Sequence, residues 1–213
     1  MHIGIFDSGR GGELVAEKLK ASFPGHEYTV VNDLAHAPYG ERSYEEIRQL
    51  TETAIQPLLT CDLIIIACNT ATVAAIEYLR NGHPNTSFIG FEPMIKPAAL
   101  ETKSDHITLL ATKATAHSQR TEELITTYAS NLIVDVPATF GWATLIDKES
   151  VDEVELTEVA TSVKAGSDVI IIGCTHYIAL IPRLAELFPG VKILEPTTAV
   201  AQQVTRLLNV RPQ

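Results

Sequence analysis

Cysteine, basic charge and long apolar runs are all scarce in this chain. Its three cysteines, Cys61, Cys68 and Cys174, form an odd set with no CxxC pair and no His-spaced zinc pattern. A disulfide framework or a structural metal site is therefore not expected, and the thiols are read as reduced ones in the cytoplasm. Sixteen Lys and Arg against 26 Asp and Glu leave a formal net charge of −10. That balance argues against nucleic acid as a partner, because such affinity rests mainly on clustered basic residues. No apolar run approaches the roughly 18 residues needed to cross a bilayer, and the opening MHIGIFDSG lacks the basic and apolar regions of a signal peptide, so no membrane partner is expected. Blocks rich in Pro or Ser are missing too, which leaves 213 residues able to build one large domain or two small lobes.

What the chain does have is short apolar runs rich in β-branched residues alternating with stretches of helical periodicity. Strands are predicted at 2–6, 28–32, 63–67, 87–91, 107–111, 131–136, 169–173 and 191–195. Helices are predicted at about 12–22, 43–58, 71–81, 95–102, 117–129, 152–165, 178–188 and 197–208. The pattern is that of an α/β fold with mainly parallel sheets covered by helices on both faces, since several strands are apolar throughout.

The chain also repeats itself. Asp62-Leu63-Ile64-Ile65-Ile66-Ala67-Cys68-Asn69-Thr70 matches Asp168-Val169-Ile170-Ile171-Ile172-Gly173-Cys174-Thr175-His176 at a spacing of 106, with Asp, three Ile and Cys in register. A weaker echo relates IGIFDSG to ITLLATKAT at a shift of 104 or 105 and sets Asp7 opposite Thr112. Internal duplication predicts two pseudo-symmetric three-layer α/β/α lobes with an active site in the cleft between them. The expected division is 1–93 plus 196–213 for the N-terminal lobe and 94–195 for the C-terminal lobe.

Ligands of open parallel sheets sit beyond the carboxyl ends of the strands, and the unusual polar residues fall there. Asp7 and Ser8 follow the first strand, Cys68, Asn69 and Thr70 the third, Thr112 and Thr115 the fifth, and Cys174, Thr175 and His176 the seventh. Gly9, Gly11 and Gly12 turn the chain toward a helix N-terminus that favours an anion, and Ala37-Pro38-Tyr39-Gly40 bends an aromatic hydroxyl into reach of a ligand. A lone Cys after an apolar strand is most often a small buried hydrophobe, which is how Cys61 is read. Cys68 and Cys174 differ because both precede donor side chains at an expected helix N-terminus, a setting that favours the thiolate. His176 is a surface histidine or a base beside Cys174, and Asp7 taken alone is equally a helix cap.

A nucleotide-binding reading fails on spacing. After Gly9-Arg10-Gly11 the third fingerprint glycine would stand at Leu14, and Asp7 would face a pyrophosphate.

DSGRGG (7–12), APYGERS (37–43), ACNTAT (67–72), ATKATAHS (111–118) and GCTHY (173–177), in that order, resemble the motif series of glutamate racemases in the aspartate/glutamate racemase superfamily. The resemblance spans nearly the whole chain. It implies a racemase that needs no cofactor or metal, acts on a small amino acid between two α/β lobes, and supplies D-glutamate for peptidoglycan synthesis. It makes Cys68 and Cys174 the catalytic acid/base pair. Asp7, Ser8, Tyr39, Gly40, Asn69, Thr70, Thr115, Thr175 and His176 become the substrate-binding set. A homodimer is compatible with it, as are an aspartate or hydantoin racemase and a non-catalytic regulatory relative; retention of both cysteines favours catalysis. The chain departs from the family pattern by its short second lobe around 135–165, where an acidic residue usually approaches the site and where Asp147 and Glu149 both stand as candidates. It departs again at Arg10 and Ile178, where the family usually has a small apolar residue and a proline.

Overall fold

The computed structural model describes residues 1–210, with side chains through residue 207. Two compact units emerge from the chain's own contacts. The first comprises residues 1–39, 43–91 and 196 to the last described residue; the second comprises 40–42 and 92–195.

In the first unit β1 (His2–Asp7), β2 (Glu27–Asn32), β3 (Leu63–Ile66) and β4 (Ser87–Gly90) form a parallel sheet in the order β2-β1-β3-β4. Its helices are α1 (Gly11–Ser22), α2 (Tyr44–Ala54), α3 (Asn69–Gly82) and α10 (Thr197–Val210). Ile3, Ile5, Leu63 and Ile65 pack with Val15 and Leu19 of α1 and with Val200 and Val204 of α10. Successive side chains alternate across a strand, so Phe6, Ile64 and Ile66, all wholly buried, serve the opposite face.

The second unit contains β5 (His106–Ala111), β6 (Ile133–Asp135), β7 (Val169–Gly173) and β8 (Lys192–Leu194), again parallel, in the order β6-β5-β7-β8. Around it lie α4 (Ile95–Glu101), α5 (Lys113–Ala116), α6 (Gln119–Tyr128), α7 (Trp142–Asp147), α8 (Thr157–Lys164) and α9 (Ile181–Leu187). Ile107, Leu109, Val169 and Ile171 pack against Ile95 and Ala98 of α4 and Leu124 of α6.

The two sheets share one topology, with each strand of the second four places later in the chain. Ile3 pairs with Leu63 as Ile107 pairs with Val169, which relates β1 to β5 by a shift of 104. That register sets Asp7 opposite Ala111 and Ser8 opposite Thr112, one residue from the alignment read in the sequence. The repeated aspartates have parallel duties as well. Asp62 Oδ2 accepts from His2 N at 2.8 Å, and Asp168 accepts from Thr102 Oγ1 and from Lys103 N and Ser104 N at 2.6, 2.7 and 3.1 Å, so each staples the start of its unit's first strand.

Several helices differ from their sequence expectation. The stretch predicted over 43–58 stops at Ala54 and continues as a 3₁₀ turn, Gln56–Leu58, where Pro57 cannot extend the ladder. The stretch predicted over 152–165 breaks into a 3₁₀ turn, Val151–Glu153, and α8. There the Arg183 guanidinium donates to the carbonyls of Val151 and Val154 at 2.9 and 2.7 Å, which satisfies them outside a helix. The helix predicted over 178–188 starts at Ile181, with Pro182 in its first turn and a 3₁₀ segment, Thr175–Leu180, before it. α7 was not expected at all.

Candidate active site

Each unit gathers a polar cluster at the carboxyl ends of its strands. In the first, β3 ends at Ile66, and Cys68 is the N-cap of α3, with an extended backbone (φ −67°, ψ 115°) and its sulfur accepting from Ala71 N at 3.4 Å. The helix therefore begins earlier than predicted, which puts Asn69 and Thr70 in its first turn. Ser8 Oγ lies 3.1 Å from Cys68 Sγ. One backbone donor and a hydroxyl able to donate thus face the sulfur, an arrangement that suits an anionic thiolate when the hydroxyl points its hydrogen at it.

Asp7, 0% exposed at the end of β1, accepts from Gly9 N at 2.7 Å, which closes the turn into α1. Gly12 permits the tight packing here. A Cβ at that position would stand 2.6 Å from Asn32 Oδ1 and 3.0 Å from Asp7 Cβ. Tyr39, also buried, donates to Asp33 Oδ2 at 2.6 Å and sets its ring 6.3 Å from that of Phe6. Asn69, 1% exposed, donates through Nδ2 to the Phe91 carbonyl at 3.2 Å. A carbonyl accepts only from the amide nitrogen, so this bond fixes the amide's orientation. The buried Asn69 Oδ1 is left without a hydrogen-bond partner among the described residues.

In the second unit β7 delivers Cys174, again an N-cap with extended backbone (φ −151°, ψ 133°), here for the 3₁₀ segment Thr175–Leu180. Cys174 Sγ lies 3.8 Å from His176 Nδ1, and His176 Nε2 lies 3.4 Å from Asp147 Oδ1. All three side chains come from one unit, with the imidazole within hydrogen-bond reach of the sulfur on one side and within ion-pair distance of the carboxylate on the other. Of the two acids left open by the sequence, Asp147 is the one that reaches the histidine. It sits at the end of α7, whose Trp142 packs edge-on to Tyr177 with ring centroids 5.4 Å apart. Burial and the nearby Cys174 push the Tyr177 phenol well above its ordinary range, against a smaller opposing effect of the Thr139 side chain, and the phenol donates to Thr139 O at 3.4 Å. That tyrosine is a wall of the cluster and stays protonated.

Thr115 is fully buried beside Thr112, whose hydroxyl caps α5 by accepting from Thr115 N at 3.3 Å and donates to Thr115 Oγ1 at 3.1 Å. Gly40 belongs with this group. A Cβ there would meet Thr112 Cβ at 2.8 Å, so only glycine lets residues 40–42 lie against the fifth strand's end. Thr70 and Thr175 are buried at the first turns behind the two cysteines. Cys61 is buried away from both clusters, with its sulfur packed near Gly4, and burial raises its pKa. Among the described residues no group of three or more His, Cys, Asp or Glu is placed to hold a metal ion, and no helix is long and apolar enough to cross a membrane.

The profile of the Asp/Glu/Hydantoin racemase family matches residues 13–204. The chain belongs to that racemase family. A glutamate racemase of Herpetosiphon aurantiacus is 41% identical over 214 residues, covering 97% of this chain and 84% of that protein. One from Pseudomonas aeruginosa is 36% identical over 217 residues, covering 98% and 82%. Among solved structures, Escherichia coli glutamate racemase in complex with L-glutamate and the activator UDP-MurNAc-Ala matches with a TM-score of 0.85 at 28% identity, over 100% of this chain and 84% of that one. The aspartate racemase of Picrophilus torridus shares the fold, with a TM-score of 0.70 at 18% identity over 100% and 96%. The racemase family accounts for the doubled α/β architecture, and the sequence expectation of an amino-acid racemase stands.

Two participants were not singled out by sequence reasoning. Asp33 holds the Tyr39 hydroxyl, and its signal was no more than a carboxylate just past the end of β2. Thr139 anchors the segment before α7 by donating to Ala111 O at 2.7 Å, and nothing local marks it.

Proposed function

We propose that the chain interconverts L- and D-glutamate by a two-base mechanism in which Cys68 and Cys174 are the catalytic acid/bases. The observation that carries this reading is the equivalence of the two thiols. Each is the residue that caps the element following a topologically matched central strand, β3 or β7, and each has hydrogen-bonding groups at its sulfur. Similarity to glutamate racemases over 97–98% of the chain supports the choice of substrate.

Inversion of an α-carbon requires a base on one face and an acid on the other. A thiolate takes the α-proton, the C–H electron pair remains on carbon as a carbanion delocalised into the α-carboxylate, and the second thiol returns a proton to the opposite face. The first sulfur ends as a thiol and the second as a thiolate, so the reverse enantiomer uses the same pair with exchanged roles. Positioned acid/base groups of this type contribute about 10²- to 10⁴-fold each. Side chains supply every proton in this scheme, which therefore requires no cofactor.

The remaining polar residues divide by chemistry. The first-turn groups Asn69, Thr70, Thr115 and Thr175, with Ser8, offer hydroxyl, amide and backbone donors for carboxylates and for the charge that grows on the α-carboxylate. Asn69 Oδ1 and Asp7 are acceptors suited to the substrate ammonium. Tyr39 and Gly40 complete the binding set. His176, backed by Asp147, shuttles or stabilises the proton on Cys174. The product serves peptidoglycan synthesis, and the protein works in the cytoplasm. Incubating it with L-glutamate alone and following optical rotation tests the reading: decay to zero rotation is expected, and unchanged rotation with glutamate but decay with aspartate would reassign the substrate.

A further inference from the structure

We infer that Arg10 is an electrostatic docking residue for the anionic substrate, so that it governs capture rather than the proton transfers. This rests on the glutamate reading above.

Arg10 is exposed and is the N-cap residue of α1, two positions after Ser8, whose hydroxyl lies 3.1 Å from Cys68 Sγ. Consecutive Cα atoms are about 3.8 Å apart, so the chain holds Arg10 Cα within about 8 Å of Ser8 Cα. Its guanidinium has no hydrogen-bond or ion-pair partner among the described residues. Most other described arginines are committed: Arg48 to Ala74 O, Arg80 to Glu77, Arg120 to Glu92, and Arg183 to Val151 and Val154. The acids adjoining Arg10 in sequence are engaged elsewhere. Asp7 Oδ1 accepts from Gly9 N, and Glu13 Oε1 accepts from Asn32 Nδ2 at 3.3 Å.

An uncommitted cation at this place has a physical use. The protein carries a formal net charge of −10, so a substrate with two carboxylates and one ammonium approaches against a repulsive field. A guanidinium beside the first binding loop gives that approach a local attractor, and its fork geometry suits a carboxylate. Because the group is solvated, its effect is screened by salt, with a Debye length of about 10 Å at 0.1 M. None of the hydrogen bonds described above for Asp7, Ser8 and Cys68 involves Arg10.

The test compares wild type, Arg10→Gln and Arg10→Lys in steady-state racemisation of L-glutamate at about 0.02 M and about 0.3 M ionic strength. At low salt Arg10→Gln is expected to lower kcat/KM by about 3- to 10-fold through KM with kcat retained, and the loss shrinks at high salt. Arg10→Lys, which keeps the charge, restores most of it. Equal kcat/KM for wild type and Arg10→Gln at both ionic strengths overturns the docking role while leaving the racemase reading intact. A loss confined to kcat, or one unmoved by salt and not rescued by Lys, also overturns it. Absence of turnover by wild type overturns the glutamate reading and this inference with it.

Discussion

Replacing Asp147 by Asn removes one negative charge 3.4 Å from His176 Nε2 while keeping the side chain's shape. At that separation Coulomb's law gives about 5 kcal/mol at an effective dielectric of 20 and about 1 kcal/mol in bulk water. His176 is nearly buried, but Asp147 is about a third exposed (32%), so the lower part of that range applies, about 1–2 kcal/mol, or roughly 5- to 30-fold in rate. In the proposed two-base scheme the loss falls on the transition state in which Cys174 gains or gives up its proton. An enantiomer pair has an equilibrium constant of one, so kcat/KM must fall equally in both directions and cannot by itself locate the damage. Isotope effects can. With α-deuterated substrate, slowing the Cys174 step raises the primary isotope effect on kcat/KM for the enantiomer from which Cys174 removes the proton. It lowers that effect for the other enantiomer, whose C–H cleavage the two-base proposal assigns to Cys68. The assay is competitive or parallel initial-rate measurement with protiated and α-deuterated L- and D-glutamate. Isotope effects that stay at their wild-type values, or that move in the same sense for both enantiomers, refute the relay from Asp147 through His176 to Cys174.

Two structural predictions accompany it. Gly12→Ala places a Cβ 2.6 Å from Asn32 Oδ1 and 3.0 Å from Asp7 Cβ; the amide tip can swing away but the Asp7 backbone cannot, so a destabilisation of about 1–3 kcal/mol with reduced kcat/KM is expected by denaturant titration and rate assay. Wild-type stability and unchanged activity would contradict the packing described. Asp168 has its pKa lowered because hydrogen bonds from Thr102, Lys103 and Ser104 outweigh the opposing effect of burial. A depressed carboxylate pKa contributes stability that is fully present above the unfolded value, near 3.8, and is lost as pH falls through the folded value. Asp168→Asn should therefore lower Tm at neutral pH and flatten the decline below about pH 4, and a Tm equal to wild type throughout would remove the staple from the account.

Much of this architecture was legible because the informative signals are local. A run such as Leu63-Ile64-Ile65-Ile66 ending in Cys68 reads as a fully buried strand delivering a polar residue, and its copy at Val169–Cys174 doubles the signal. What escaped depends on partners distant in sequence. α7 is six residues long, follows Gly141 at φ 76° and has no capping side chain, so GWATLID shows no periodicity to read. It is held instead by Trp142 against Tyr177 and by Thr139 on Ala111 O. Asp147 was consequently visible only as one of two candidate acids until α7 set it beside His176. The break before α8 has the same origin, since Arg183, some thirty residues away, takes the carbonyls of Val151 and Val154. The start of α3 at Asn69 escaped for a smaller reason: Cys68 caps the helix through sulfur, a weaker and less frequent cap than Ser, Thr, Asp or Asn.

The central claim is that two thiols act on one α-carbon. It is tested most directly by following loss of the α-proton signal of L- and D-glutamate in D₂O with wild type, Cys68→Ser and Cys174→Ser. Wild type should exchange both enantiomers with racemisation, and each single variant should lose racemisation by at least about 10²-fold, because one positioned acid/base is gone. Full racemisation by either variant would contradict the two-thiol account.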